Sequence, residues 1–362
     1  MKTRIIYSLF LTLLSTLSFG QETYTYTTPT QYSDGWKTSD LRSQAIDTTL
    51  LQKGFSQLAT VDHKIHSALI IKNDHIIFEE YFGEYAYDKQ QDLRSVNKSI
   101  KSILMGIAID KGYIDSENDL ISKYLKKPIP EKNLDPRKEK ITIKHLLTMS
   151  TGLECNDWDK KSKGQEDRVY KKKDWLQYTL DLPMVQEPGE TSLYCSMGTL
   201  LAAEIIQQAS GMSIEEFTQT YLFNPLGITN IKRGHTTTNR EVINTAKRIY
   251  MTPRDMAKIG KLILQKGNWK GQQIVSEAWV KRATSTHTQI TGIDYGYLWW
   301  QFPFNIQGQR ISATLATGNG GQYIMVFPEQ DMIIVFTGGA YNSQEDKLPF
   351  KIVQDLILPS LR

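Results

Sequence analysis

Two pairs of apolar, β-branched runs, one near each end of the chain, constrain the fold more than any other feature. The first pair, SALIIKNDHIIFEEYFGEY, surrounds Asn73-Asp74, a dipeptide typical of a tight hairpin turn. The second pair, YIMVFPEQDMIIVFTGG, is joined by the four residues from Pro328 to Asp331. Both pairs therefore predict β-hairpins, separated by a long stretch of chain with a different pattern.

The residues between the hairpins form helix-like segments that end at glycine or proline, such as GTLLAAEIIQQASG and TPRDMAKIGKLILQKG. A helix opened by Asp40 and a closing helix in QEDKLPFKIVQDLILPSLR are also predicted. Strands at both ends of a helical middle indicate an α+β fold. We expect one antiparallel sheet, built from both ends of the chain and flanked by helices, with a helical lobe inserted.

The length of 362 residues suits one large domain or two lobes. We expect residues 21–112 and 245–362 to form an α/β lobe. Residues 113–244 are expected to form the helical lobe. The functional site is then expected between the two lobes.

The first 20 residues have the pattern of a signal peptide. Lys2 and Arg4 precede an apolar stretch from Ile5 to Leu17, and a small residue precedes Gln21. The apolar stretch is short for a membrane span. We therefore expect removal of residues 1–20 and a periplasmic or secreted protein with no membrane span.

The charge pattern excludes some classes of partner. The net charge is +4, and acidic and basic residues are interleaved, so we expect no nucleic-acid partner. The densest basic run, KKSKGQEDRVYKKKDW, also contains acids and is interpreted as a solvated loop. No cluster of histidine, cysteine and carboxylate residues at ligand spacing predicts a metal site.

Cys155 and Cys195 are the two cysteines of the chain. In an exported protein an even number of cysteines permits a disulfide. The alternative is two separate buried thiols, and the sequence spacing does not distinguish these possibilities.

A serine and a lysine three residues apart open an amphipathic helical pattern in DLRSVNKSIKSILMGIAIDKGY. Residues at positions i and i+3 share one face of a helix, so the Lys98 amine can reach the Ser95 hydroxyl. Serine becomes a good nucleophile only when a base removes its proton, and lysine acts as a base only if its pKa is lowered. The alternative is a helix cap followed by a surface lysine.

Two further motifs accompany this pair. PGETSLYCSMGTLLAAEIIQQASG places Tyr194 directly before a helical pattern, and TGNGGQYIMVFPEQDMIIVF places two glycines directly before a strand. In this order the motifs resemble the penicillin-recognising serine hydrolases, in particular the branch that contains class C β-lactamases, esterases and 6-aminohexanoate-dimer hydrolases. Ser95 to Lys98 matches the S-x-x-K motif, Tyr194-Cys195-Ser196 matches Y-x-N in part, and Asn319-Gly320-Gly321 replaces the third motif.

The resemblance implies a β-lactamase/transpeptidase-like fold and an acyl-enzyme mechanism without a metal or organic cofactor. Ser95 corresponds to the nucleophile, Lys98 to its base and Tyr194 to a proton relay. The backbone N–H groups of Ser95 and Gln322 correspond to the oxyanion hole. The partner is then a small-molecule ester or amide.

The resemblance also implies substrate contacts at Ser196, Asn319, Gly320 and Gly321. Serine replaces an asparagine that is frequent in the family, and Asn319 replaces a lysine or histidine that helps to hold a substrate carboxylate. Without that cation, binding of an anionic β-lactam should be weaker. Both replacements favour an esterase or amidase.

If the fold is that of the family, both cysteines lie near the active-site cleft, which favours a Cys155–Cys195 disulfide. The sequence thus predicts an exported serine hydrolase of esters or amides. The alternatives are a D-Ala-D-Ala peptidase or weak β-lactamase, and a non-catalytic binding or sensor domain on the same fold. The presence of Ser95, Lys98 and Tyr194 together argues against the sensor.

Overall fold

A computed structural model describes residues 24–234 and 246–361, so the predicted signal peptide lies outside the described residues. Its strands are β1 (Lys37–Thr38), β2 (Ile65–Lys72), β3 (His75–Tyr81), β4 (Gln91–Asp92), β5 (Lys232–Gly234), β6 (Arg248–Met251), β7 (Asn268–Trp269), β8 (Gln272–Gln273), β9 (Thr288–Ile290), β10 (Ile293–Tyr295), β11 (Trp300–Ile306), β12 (Gln309–Gly318), β13 (Gln322–Phe327) and β14 (Met332–Gly338). Its α-helices are α1 (Thr48–Leu58), α2 (Val96–Asp110), α3 (Ile143–Leu147), α4 (Glu166–Val169), α5 (Trp175–Leu180), α6 (Ser196–Ser210), α7 (Ile214–Thr218), α8 (Pro253–Leu264), α9 (Glu277–Ala283) and α10 (Leu348–Ile352).

A nine-stranded sheet has the order β1-β3-β2-β14-β13-β12-β11-β10-β9. Its neighbouring strands are antiparallel, except that β1 runs parallel to β3. Leu69 of β2 pairs with Val335 of β14, so strands from the two ends of the chain are neighbours. The predicted antiparallel sheet, built from both ends of the chain, is confirmed. Smaller sheets have the orders β4-β6-β5 and β7-β8.

Both predicted hairpins are present. Asn73 and Asp74 connect β2 to β3 with φ angles of 46° and 66°, the left-handed values that a two-residue hairpin turn of this kind requires. A 3₁₀ turn at Pro328–Gln330, followed by Asp331 at φ 44°, connects β13 to β14.

Alternate residues of the central strands face opposite sides of the sheet. In β14, Met332, Ile334 and Phe336 belong to one buried cluster, and Ile333 and Val335 belong to another. The first cluster includes residues of α1 and α10, and the second includes residues of α2, α6 and α8. Because the side-chain period of a strand is two, this alternation places helices on both faces of the sheet.

The structure corrects the predicted start of the first helix. The Asp40 carboxylate accepts from the Arg42 N–H at 3.0 Å, and only a short 3₁₀ turn, Arg42–Gln44, follows it. The helix α1 begins later, where the Asp47 side chain accepts from the Thr49 N–H at 2.8 Å. Both aspartates are good N-caps, so the sequence offered two possible starts.

The middle of the chain supplies α3, α5 and α6. The helix α6 packs against α3, α5 and α2. The boundaries of the helical lobe stay a prediction. Within the ranges described above, no helix is both long enough and apolar enough to cross a bilayer.

Candidate active site

Ser95 lies between β4 and α2, directly before the first residue of α2. The residue before it, Arg94, has a φ of 49°, a left-handed conformation that residues other than glycine seldom adopt. Its backbone N–H donates to the Asp92 carboxylate at 3.1 Å, and its side chain pairs with the same carboxylate at 3.1 Å. Arg248 from β6 pairs with Asp92 as well, at 2.9 Å. This ionic network holds the turn that presents Ser95 at the start of α2.

Lys98 lies one turn along α2, and its side chain reaches back to Ser95. The Nζ atom donates a hydrogen bond to Oγ of Ser95 at 2.7 Å. Lys98 is only 8% exposed, which excludes the alternative of a surface lysine. The serine–lysine contact expected from the i, i+3 spacing is therefore present as a direct hydrogen bond.

Tyr194 directly precedes α6, which packs against α2. The Nζ atom of Lys98 lies 4.9 Å from the centre of the Tyr194 ring. The tyrosine is buried, with 8% of its surface exposed. The fold thus brings Tyr194 next to Ser95 and Lys98, although its motif lies about 100 residues later in the sequence.

The third predicted motif forms the turn between β12 and β13. Gly320 and Gly321 have φ angles of 94° and 93°, which other residues adopt only with strain. At the end of β12, a Cβ added to Gly318 would lie 2.5 Å from the carbonyl oxygen of Leu93. The turn therefore lies against the segment that leads into Ser95, and glycine is needed at position 318 for this approach.

The side chains of Asn319 and Gln322 are both engaged within the protein. Asn319 donates to the Asn342 side chain at 2.8 Å and accepts from the Asn342 N–H at 2.9 Å. The Gln322 amide donates to the Gly338 carbonyl at 2.5 Å. Gln322 is fully buried, so its side chain supports the sheet, whereas its expected contribution to an oxyanion hole is its backbone N–H.

Ser196, which was expected to contact the substrate, forms hydrogen bonds within the protein. It is 7% exposed, and its hydroxyl donates to Oδ2 of Asp157 at 2.6 Å. The Ser196 N–H donates to the same oxygen at 2.8 Å. The first N–H groups of a helix have no partner within the helix, and here the Asp157 carboxylate supplies one for α6.

A disulfide joins Cys155 to Cys195, with the Cα atoms 5.4 Å apart, the pairing that the family resemblance implies. It fastens the loop that follows Cys155 to the segment that carries Tyr194. In this loop the Asp157 N–H donates to the Tyr194 carbonyl at 2.8 Å. The indole of Trp158 lies parallel to the Tyr194 ring, with the ring centres 4.9 Å apart.

The sequence does not identify Asp157 and Trp158 as site residues, because no motif includes them. The signal that was available is indirect: a Cys155–Cys195 bond brings the residues that follow Cys155 next to Tyr194.

Glu166 is a third residue that the sequence did not reveal. Its backbone N–H donates to Oδ1 of Asp157 at 3.2 Å. Its carboxylate accepts from the Tyr170 hydroxyl at 2.8 Å and from the Ser196 hydroxyl at 3.3 Å. The interpretation of this stretch as a solvated loop is wrong for Glu166, which begins α4 and points into the site.

These acids change the electrostatics of the site. The pKa of the Asp157 carboxyl is raised to about 6, mainly by burial; the charge of Lys98 opposes this rise, and the charge of Glu166 adds to it. Burial lowers the pKa of Lys98, but its interactions with Tyr194, Glu166 and Asp157 outweigh burial, and the net pKa is raised above its usual value. A lowered pKa, the condition for an efficient lysine base, is therefore not met in the free protein, and Lys98 is an ammonium at neutral pH.

Aromatic rings form a wall beside Tyr194. The Trp300 ring lies 6.0 Å from that of Tyr194 and 6.3 Å from that of Trp158, both nearly parallel. Trp158 is 55% exposed, so one face of the wall is open. Near the third motif, the Arg94 guanidinium lies 4.5 Å from the centre of the exposed Tyr341 ring.

The chain is similar in sequence to known proteins. A family model described as Beta-lactamase matches residues 58–350. The 6-aminohexanoate-dimer hydrolase of Paenarthrobacter ureafaciens is 23% identical over 295 residues, which cover 74% of this chain and 70% of the relative. Lovastatin esterase of Penicillium rubens is 26% identical over 238 residues, covering 58% of this chain and 59% of the esterase.

Solved structures show the same fold. The octameric penicillin-binding protein homologue from Pyrococcus abyssi superposes with a TM-score of 0.66 at 18% identity, covering 86% of this chain and 77% of the homologue. The match to the family model spans most of the chain, including all three motifs. The chain therefore belongs to the β-lactamase family and is a serine hydrolase of this family.

Proposed function

We propose that the protein hydrolyses a small-molecule ester or amide through an acyl-enzyme formed on Ser95, with Lys98 as the base and Tyr194 as the proton relay. The observation that carries this proposal is the 2.7 Å hydrogen bond between the buried Lys98 amine and the Ser95 hydroxyl. It joins a nucleophile to a proton acceptor at the N-terminus of α2, where backbone N–H groups favour developing negative charge.

In the first step, Ser95 Oγ attacks the carbonyl carbon while Lys98 in its neutral form takes the hydroxyl proton. The carbonyl oxygen becomes an oxyanion, for which the backbone N–H groups of Ser95 and Gln322 are the proposed donors. The tetrahedral intermediate collapses, and the leaving alkoxide or amine receives a proton through Tyr194. Water then attacks the acyl-enzyme, releases the carboxylic acid product and returns the proton to Ser95.

The raised pKa of Lys98 affects the first step. The ammonium must lose its proton before it can accept that of Ser95. The reactive form is then the minor one at neutral pH, and acylation should accelerate as the pH rises.

The environment of the site favours a substrate without a carboxylate. The Asn319 amide is paired with Asn342, and Ser196 is paired with Asp157. The Asp157 and Glu166 carboxylates add negative charge near Tyr194. An anionic β-lactam would meet acids and paired amides in place of the family cation, whereas a neutral ester or amide meets no such repulsion. One relative is named as an esterase, which agrees with an ester substrate.

We also propose that the protein works in an oxidising compartment, as expected for an exported enzyme. The Cys155–Cys195 disulfide supports this location, because such bonds persist mainly outside the reducing cytosol.

The test is hydrolysis of a short-chain p-nitrophenyl ester by the mature protein and by Ser95→Ala. A matched control is Ser99→Ala, which removes a hydroxyl one turn along α2 that donates to the Leu298 carbonyl. We expect turnover in the parent and in Ser99→Ala, and loss of turnover in Ser95→Ala. Equal turnover in Ser95→Ala would remove the nucleophile from the proposal.

Labelling with penicillin distinguishes the two alternative functions from each other. Stable labelling of Ser95 by penicillin, without ester turnover, would favour a D-Ala-D-Ala peptidase or weak β-lactamase. Neither turnover nor labelling would favour the binding or sensor domain.

A further inference from the structure

Leu134 and Ile129 are the most exposed large apolar side chains among the described residues, at 75% and 62%. Both belong to residues 125–135, a segment without helix or strand that we call the 125–135 loop. Scattered exposed apolar side chains are ordinary, whereas a group of them on one surface marks a site of interaction with a protein or a membrane. The loop carries no residue of the candidate active site, so the proposed hydrolysis does not account for this exposure.

The backbone of the 125–135 loop is held against α5. The Ile129 carbonyl accepts from the Gln177 side chain at 2.9 Å. The N–H groups of Glu131 and Lys132 donate to Oδ1 of Asp181, directly after α5, at 2.7 and 2.8 Å. The loop is therefore fixed while its apolar side chains remain in solvent, and folding them back onto the protein would break these hydrogen bonds.

An apolar cavity of about 110 Å³ opens beside Ile129. Pro128, Ile129 and Pro130 contribute to its lining from the loop, and Leu180 and Leu201 contribute from the helices behind it. Ile129 is thus exposed and also lines the cavity. The apolar surface of the loop therefore continues into the protein and is larger than two isolated side chains.

Lysines flank both apolar side chains. Lys126 and Lys127 come just before Ile129, and Lys132 comes just before Leu134. All three lysines are exposed, and none of them forms an ion pair within the part of the chain that the structure describes. Aliphatic side chains that can enter a bilayer, beside lysines that can reach its headgroups, are typical of a segment that lies on a membrane surface.

The charge near the loop is positive although acids are present. The lysines at positions 171–173, directly before the α5 cap Asp174, are also exposed and form no ion pair with a described residue. Against these six lysines stand Asp174 and two exposed acids of the same region, Glu131 and Glu139. The excess of positive charge complements an anionic surface.

The composition of the loop favours a lipid surface over a protein partner. Protein interfaces are enriched in aromatic residues, methionine and arginine, and are depleted in lysine. The 125–135 loop contains three lysines and no aromatic residue, methionine or arginine. Its apolar residues are aliphatic, which suits the acyl chains of a bilayer.

We propose that the 125–135 loop binds the surface of an anionic lipid bilayer. Ile129 and Leu134 enter the boundary between headgroups and acyl chains, and Lys126, Lys127 and Lys132 contact the anionic headgroups. Binding is peripheral and reversible, because a few aliphatic side chains bury little area and lysines contribute only close to an anionic surface. The proposal does not depend on the catalytic role of Ser95.

The test is flotation of the mature protein with vesicles made of equal parts of phosphatidylglycerol and phosphatidylcholine. Vesicles of phosphatidylcholine alone are the neutral comparison. We expect binding to the anionic vesicles, little binding to the neutral ones, and weaker binding when the salt concentration rises from about 0.1 M to about 0.5 M. A parent protein that does not bind the anionic vesicles would overturn the proposal.

Substitutions locate the binding surface. Leu134→Ser and Ile129→Ser should each lower the partition coefficient by about tenfold, because each removes an inserted side chain. Val61→Ser is the matched control, since Val61 is 57% exposed and lies outside the loop. Lys127→Ala should lower the coefficient about fivefold, and Lys89→Ala, which removes an exposed lysine elsewhere, should leave it unchanged.

Thermal unfolding verifies that the variants keep the fold of the parent. Equal binding by the parent, Leu134→Ser and Ile129→Ser would overturn the assignment to this loop. Analytical ultracentrifugation of the parent and of Leu134→Ser tests whether a second copy of the chain covers the loop instead. A parent dimer that becomes monomeric in Leu134→Ser, with no vesicle binding by either protein, would make the loop a protein interface and overturn the lipid proposal.

Discussion

The indole ring of Trp158 lies parallel to the phenol ring of Tyr194, with the ring centres 4.9 Å apart. The two residues come from different parts of the chain, and the Cys155–Cys195 disulfide joins their segments. Stacking limits the orientations that the tyrosine ring can adopt, so a relay through its hydroxyl starts from one geometry. Trp158 is also exposed by 55%, so its outer face is available to a substrate.

Trp158→Ala should reduce kcat/KM for the p-nitrophenyl ester by up to about tenfold, because an aromatic pair contributes on the order of 1 kcal/mol beyond its buried area. Trp158→Phe is the matched control, since a phenyl ring can still stack on Tyr194. Steady-state kinetics of the three proteins check this prediction. Equal values in parent and alanine variant would show that the stacking does not assist the reaction.

Tyr194→Phe removes the hydroxyl and keeps the aromatic ring, so it tests the hydroxyl alone. The phenylalanine ring can keep the contacts with Trp158 and Trp300, so the fold should be retained. Loss of the proton relay should lower kcat by roughly a hundredfold or more. Stopped-flow or steady-state kinetics measure the rate, and thermal unfolding verifies that Tm has changed little. A normal kcat would assign the relay to another group.

The disulfide should contribute to stability as well as to the site. A bond that closes a loop of 40 residues is expected to add about 2–4 kcal/mol to the free energy of unfolding. Denaturant unfolding of Cys155→Ala/Cys195→Ala measures this change, and a non-reducing peptide map shows whether the two cysteines are linked. Two free thiols in the parent protein would contradict the disulfide.

Much of the fold follows from local sequence patterns. The Asn73-Asp74 turn, the two apolar hairpins and the helix after Ser95 are each encoded by residues close together in the chain. The start of α1 was less predictable, because Asp40 and Asp47 are both suitable caps and only the fold selects between them.

The site residues likewise fall into those that the sequence predicts and those that it does not. Ser95 and Lys98 are neighbours on one helix, so their contact could be predicted from spacing alone. Tyr194 could be placed only through the family resemblance. Asp157 and Glu166 meet Ser196 through tertiary contacts and belong to no motif, so neither spacing nor composition distinguishes them from surface acids. For the same reason the upward shift of the Lys98 pKa could not be foreseen.

Lys101 should make stability depend on pH. Burial, together with the charge of Lys98, lowers its pKa to about 7 in the folded protein, from an ordinary value of 10.5 in the unfolded chain. Between these values the unfolded chain binds more protons, so the free energy of unfolding should rise with pH, by on the order of 1 kcal/mol per unit. Below about pH 7 both states bind the proton, so the pH dependence ends there and the destabilisation by the buried ammonium is at its maximum.

Lys101→Met should therefore be more stable than the parent at neutral pH and should show a flatter increase of stability between about pH 7 and pH 10. Lys111→Met, at the exposed end of the same helix, is the control. Urea unfolding at several pH values measures both effects. Parallel pH curves for the parent and Lys101→Met would contradict the lowered pKa.

The pH dependence of the rate tests the role of Lys98 itself. Its pKa is raised, chiefly because Tyr194, Glu166 and Asp157 outweigh the effect of burial. If neutral Lys98 takes the Ser95 proton, each unit of pH below that pKa reduces the reactive fraction tenfold, so kcat/KM should rise with a slope of about 1 on a logarithmic scale between about pH 7 and pH 9. Lys98→Ala should lose this enzyme-dependent hydrolysis while keeping its fold, as measured by circular dichroism. A parent rate that is already constant over this range would mean that the ammonium form is the active one, and the base would then be Tyr194.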